Sequence, residues 1–289
     1  MSRVLMAKKQ TCKAFSLAEL SIVLIIIGIL VAGVSTGSKV ITQAKLKSAK
    51  VLTNSARILE IEGDNMEPSV VLWFDATDTS YIVKDSNDNV SQWKSRVGDN
   101  LVNSLLQPTA DNQPQYQRVG MGIYPSIYFD GNDSLTAVAP ILSNFTDADD
   151  SWAVVIVFSQ AVSLQYYLFD LKGIRMKTRA DGVVDFQDAL GEHRVYNYRL
   201  DSPNYMLINI DNSAGSGASV VTSQYVNLEG PSSTTGDIND GTHSNMLIGA
   251  GIGNDLVGYI SEVIVFNDTL SVDDIAIVRN YLQSKYRIN

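Results

Sequence analysis

The stretch KAFSLAELSIVLIIIGILVAG, Lys13 to Gly33, decides how the whole chain is read. From Phe15 to Val34 it runs 20 residues with a single charge. At about 1.5 Å per helical residue it crosses a hydrocarbon core of roughly 30 Å. The single charge is Glu19, five residues into the run. An acid inside a membrane segment costs several kcal/mol unless it is neutralised, so Glu19 demands a function.

Fourteen residues precede the run, with Arg3, Lys8, Lys9 and Lys13 and no acid. Past it the pattern becomes an amphipathic helix from Lys39 to Glu62, with Ile41, Ala44, Ser48, Val51, Ser55 and Leu59 at three- and four-residue steps. Gly63 is a helix stop and Pro68 follows. One helix of some 48 residues, half of it in lipid, is the simplest expectation from Phe15 to Gly63.

The order Ala14-Phe15-Ser16-Leu17-Ala18-Glu19-Leu20 after a basic leader resembles the start of a type IV prepilin or pseudopilin. The resemblance implies a leader of residues 1–14, removed by a prepilin peptidase between Ala14 and Phe15, with N-methylation of Phe15. The family usually has Gly where this chain has Ala14. It also implies a role for Glu19: only one stagger of neighbouring helices sets its carboxylate beside the new amino group of Phe15, so the pair fixes register in a filament. Breaking a buried pair costs on the order of 3–5 kcal/mol, which rejects the wrong registers. The implied partners are other pilin or pseudopilin subunits. The implied location is the bacterial inner membrane for the precursor, then a surface pilus or periplasmic pseudopilus. Because Glu19 is retained, the subunit is expected to pack beneath others.

Charge divides sharply along the chain. Through Gly63 there are nine Lys/Arg and three Asp/Glu; beyond it there are 13 and 28, a net charge of −15. Such a head repels phosphate backbones, so no nucleic-acid partner is expected. Cys12 is the only cysteine, which excludes an intramolecular disulfide.

Residues 64–69 read as a hinge, after which the periodicity becomes that of strands. Residues 70–74, 126–129, 152–158, 205–210, 218–226 and 258–266 are β-branched and aromatic runs, most of them bounded by turn residues. They predict an all-β antiparallel sandwich over 70–289. A short C-terminal helix is expected to close it, capped by Ser271 with Asp274. Val71–Asp78, Val90–Trp93, Tyr124–Asp133 and Gly258–Asn267 in that order resemble a concanavalin A-like jelly roll of the laminin G-like group. That resemblance implies a head that binds a glycan or protein, in some members through calcium.

No cofactor is expected, with calcium left open. Asp85, Asn87 and Asn89 alternate like a calcium loop, although Val90 stands where the turn glycine belongs. Asp147, Asp149 and Asp150 form a second acidic cluster, and Asp237 and Asp240 a third. The best carboxylate cluster for glycan hydrolysis is Asp185, Asp188 and Glu192, but on one continuous strand Asp185 and Glu192 face opposite ways. The chain is therefore expected not to be an enzyme. Trp73 and Trp152 lie within apolar strands and are expected to pack in the core. The leading reading is a minor pilin or pseudopilin-like subunit with an adhesin-like head. The alternatives are an uncleaved, anchored lectin-like module and a surface glycanase.

Overall fold

The computed structural model describes residues 17–63, 69–98, 103–137, 151–171, 174–188, 191–211, 220–236, 246–250 and 254–288. The chain divides into two compact units, one ending at Lys45 and one running from Leu46 to Asn289. Helix α1 (Leu17–Asn54) contributes to both.

In the first unit every side chain from Leu17 to Val34 is exposed. Among the described residues, the helix starting at Leu17 is the one long and apolar enough to cross a membrane. The hydroxyl of Ser21 donates to the carbonyl of Leu17 at 2.8 Å, so this polar group is satisfied inside the helix and needs no water.

In the second unit α1 ends at Asn54, short of the Glu62 that periodicity suggests, and a 3-10 turn follows at Arg57–Glu60. The reason is tertiary. Ala56 takes an extended backbone, and the redirected chain buries Ile58 and Ile61 against the sandwich. Core burial outweighs the few tenths of a kcal/mol per residue that helix propensity contributes.

The sandwich has two antiparallel sheets. The first runs β15 (Glu229–Gly236), β14 (Val220–Val226), β13 (Asn204–Asp211), β8 (Trp152–Ser159), β17 (Val257–Phe266), β6 (Tyr124–Asp130) and β5 (Gln115–Met121), with β1 (Val70–Asp75) also paired to β17. The second runs β12 (Gly191–Asn197), β11 (Val183–Asp188), β10 (Ile174–Thr178), β9 (Tyr167–Leu171), β16 (Met246–Ile248), β7 (Leu135–Ala137), β4 (Ser104–Leu106), β3 (Val90–Lys94) and β2 (Ile82–Lys84). Along one edge β17 pairs with β6 through Val257–Ile260, then with β1 through Glu262–Phe266. Five of the six apolar runs named from the sequence lie on these strands, and the described part of the sixth, from Val220 to Val226, forms β14.

The run WAVVIVF in β8 does not alternate because its sheet is covered on both faces. Val154, Ile156 and Phe158 enter the core between the sheets, with Phe74, Trp93, Phe129 and Phe186. Ala153, Val155 and Val157 face a second core beneath α2 (Val272–Tyr286), with Ile58, Trp73, Phe266, Val278 and Leu282. All three tryptophans are buried. Ser271 and Asp274 close the expected capping box on α2, each accepting from the other's backbone N–H.

Candidate functional site

Glu19 lies in the first turn of α1 as described, on an exposed surface. Ala14 and Phe15 lie outside the described residues, as do the hinge residues 64–68. So do the acidic clusters Asp147, Asp149, Asp150 and Asp237, Asp240.

Asp85 heads the turn between β2 and β3 and is bound by that turn itself. Its Oδ1 accepts from the backbone N–H of Asn87 at 2.8 Å and of Asn89 at 2.9 Å; its Oδ2 accepts from the side-chain amide of Asn89 at 3.1 Å. These donors, the Asn89 N–H foremost, hold its carboxyl below the usual range. The alternation that resembles a calcium loop therefore builds an Asx-type turn. Among the described residues no group of three or more His, Cys, Asp or Glu is placed to hold a metal ion.

The segment containing Asp185 and Glu192 is not one strand. It is an antiparallel hairpin, β11 to β12, in which Gln187 faces Glu192 and Asp185 faces Arg194. Opposed residues and those two apart share a face, so Asp185 and Glu192 sit on the same side. Lys177, opposite Asp185 on β10, joins them. Nη1 of Arg179 donates to Asp185 at 2.7 Å and to Glu192 at 2.9 Å, and the fully buried amine of Lys177 also donates to Glu192. The two carboxylates are driven apart. The Lys177 hydrogen bond, assisted by Arg179, holds Glu192 low, whereas burial pushes Asp185 up despite Arg179. Among the described residues Oδ1 of Asp185 has no hydrogen-bond partner, consistent with that uncompensated burial. On the same face Arg175 donates to Asp170 at 2.8 Å. The hairpin thus presents a row of ion pairs whose polar atoms are mostly held by one another.

A third charged group ties the end of α1 and α2 to the first sheet. The amine of Lys285 lies 3.0 Å from Asp75 Oδ2, 3.0 Å from Glu262 Oε2 and 2.9 Å from the Tyr281 hydroxyl. Oε1 of Glu262 accepts from the Trp73 indole and the Tyr281 hydroxyl, both at 2.6 Å; Oε2 also accepts from Tyr286 at 2.8 Å. The hydroxyl of Thr53, on the last turn of α1, donates to Asp75 at 3.1 Å. Burial pushes Asp75 up, but Lys285 and the Thr77 donors outweigh it and hold it low. At Glu262 burial, joined by the Asp75 charge, wins and the carboxyl is raised. Sequence reasoning passed over this group. Its trace was there: Glu262 interrupts an apolar strand, and Lys285 continues the stripe of Val278, Tyr281 and Leu282.

No protein-family model matches the chain, and no curated protein matches its sequence. Among solved structures, a Trypanosoma rangeli sialidase in complex with 2,3-difluorosialic acid has a TM-score of 0.49 at 11% identity, over 86% of this chain and 39% of its own. The binding domain of botulinum neurotoxin serotype D has a TM-score of 0.45 at 17% identity, over 73% and 51%. Domain 4 of AbnA, an extracellular arabinanase from Geobacillus stearothermophilus, in complex with arabinotriose, has 0.45 at 12%, over 74% and 98%. The chain spans about two fifths of the sialidases' length. At such identities the likeness concerns architecture alone.

The expectation that the chain is not an enzyme is corrected. The opposed orientation that argued against a carboxylate pair is absent, so it gives no ground for excluding catalysis. The hairpin, invisible to a one-strand reading, places both acids on one face.

Proposed function

We propose that the chain is a prepilin-like subunit, cut between Ala14 and Phe15, which assembles through α1 and carries its sandwich outside the cytoplasm as a binding head for a glycan or protein. One observation carries this reading: the first half of α1 is exposed and apolar but for its one carboxylate, Glu19, the residue that the prepilin resemblance makes a register key. A helix apolar on every side requires lipid or other helices around it. Gly28, Gly33 and Gly37 fit this reading, since small residues let neighbouring helices approach closely. Lys285 and its partners support load transfer, because they join the last turn of α1 to the sheet and to α2.

The test is the intact mass and N-terminus of the protein recovered from sheared surface material. A chain beginning at methylated Phe15 is expected, and Glu19→Ala is expected to abolish that recovery while leaving the membrane pool intact. A chain beginning at Met1 and confined to membranes overturns the proposal and leaves an anchored binding module, with Ala14 in place of the family's Gly as the cause.

A further inference from the structure

A cleft of about 580 Å³ opens beside the last turns of α1, lined by Lys50, Thr77, Thr79, Lys84, Tyr116 and Arg118 among others. That size falls within the range of small-molecule sites. Its walls are the edges of both sheets. Lys84 belongs to β2, the edge of the second sheet, while Tyr116 and Arg118 belong to β5, the edge of the first. Backbone bonds fasten the two edges: Val90 N–H donates to Pro114 at 2.7 Å and Tyr116 N–H to Asp88 at 2.8 Å. Between Gln117 and Met121 the pairing of β5 with β6 slips register, and Arg118 sits in that irregularity. An edge bulge re-aims the side chain it carries.

The charge of the cleft runs against the rest of the head. Beyond Gly63 the chain carries a net −15, yet the cleft gathers three cations and one carboxylate, Asp88. Asp88 is bound by Lys84. Lys50 is 3.4 Å from Asp78, but that carboxylate is shared with Arg96 at 3.6 Å and with the hydroxyl of Ser80. Arg118 has no carboxylate partner among the described residues. The lining therefore has positive charge in excess, with hydroxyl groups and one acceptor beside it.

We propose that this cleft binds a saccharide bearing a carboxylate, which specifies the ligand of the head and rests on reading the sandwich as a binding module. The guanidinium of Arg118 matches a carboxylate as a planar fork, and Lys50 on α1 and Lys84 on β2 add positive charge to the same lining. Asp88 and the exposed hydroxyl of Thr79 suit the sugar's own hydroxyls. Asp88 also discriminates: it accepts from a hydroxyl but repels a dianionic phosphate. A long polyanion such as nucleic acid meets the −15 field outside the cleft, whereas a singly charged sugar residue need not.

The experiment is calorimetric titration of the full chain in detergent micelles with trigalacturonate and sialyllactose, against galactotriose, lactose and inorganic phosphate. At least one carboxylated sugar is expected to bind, more weakly at high salt, and the neutral sugars and phosphate are not. Arg118→Ala and Lys50→Ala are each expected to weaken binding about tenfold or more, and Arg118→Lys to recover only part of it. Equal binding of neutral sugars, preference for phosphate, no binding at all, or indifference to Arg118→Ala overturns the proposal. Cleavage and filament recovery of the same variants are expected to be normal, so failure here and failure of the pilin reading are told apart.

Discussion

At the scale of single residues, charge burial is the feature with the largest consequences. Lys285 is fully buried with Asp75 and Glu262, and all of its donors are taken. Lys285→Met is therefore expected to cost about 3–5 kcal/mol, because it leaves two buried carboxylates facing each other. Denaturant unfolding measures this. The triple variant Asp75→Asn, Glu262→Gln, Lys285→Met is expected to recover much of the loss, since replacing a whole ionic group is far cheaper than removing one partner. Asp133 makes a pH prediction. Burial, with the neighbouring Asp130 charge, pushes its carboxyl up to about 6. The folded state then takes up this proton before the unfolded state does, so the group withdraws stability as pH rises from about 4 to about 6. Asp133→Asn keeps an oxygen to accept the Asp130 N–H, bonded at 3.0 Å in the native protein. The variant is expected to gain roughly 1–2 kcal/mol over the native protein by pH 7 and to show a flatter profile. Melting curves from pH 4 to 7 decide it; an unchanged difference across that window refutes the assignment.

At the scale of elements, local signals and tertiary demands can be separated. The capping box of Ser271 and Asp274 is a local device, and α2 starts where it says. Ser271→Ala is expected to cost about 1 kcal/mol in chemical unfolding. The end of α1 was not local. Its periodic pattern continues past Asn54, yet the helix stops so that Ile58 and Ile61 reach the second core. The hairpin of β11 and β12 teaches the same lesson about charge. From sequence, Asp185 and Glu192 are seven residues apart with no sign of which neighbours they face. Only the pairing of β11 with both β10 and β12 brings Lys177, Asp185 and Glu192 to one side, with Arg179 bonded to both acids.

At the scale of the whole molecule, the chain joins surfaces that require different solvents. The first half of α1 exposes a continuous apolar surface, while the head carries a strong negative charge. The filament assembly proposed above accommodates both, by burying helices among helices and leaving acidic heads outside. The Glu19→Ala prediction belongs to this scale, because its expected outcome is loss of the proposed assembly with no loss of folding. The cleft proposed for a carboxylated sugar belongs here too: it exists only where α1, the Thr77–Thr79 turn and the edges of two sheets meet.

The sequence by itself determined the apolar helix, the identity of the main strands, the sandwich class and the cap of α2. Each of these is written in a period of 3.6 or 2, or in a spacing of three residues, and needs no distant partner. The tertiary structure alone decided where α1 stops, which acids share a face, that Lys285 is buried between two carboxylates, and that Lys84 and Arg118 line one cleft. Those facts depend on strand register and on contacts up to 228 residues apart, as between Thr53 and Tyr281. No local pattern encodes them, because their free energy is gained only when both surfaces are already in place.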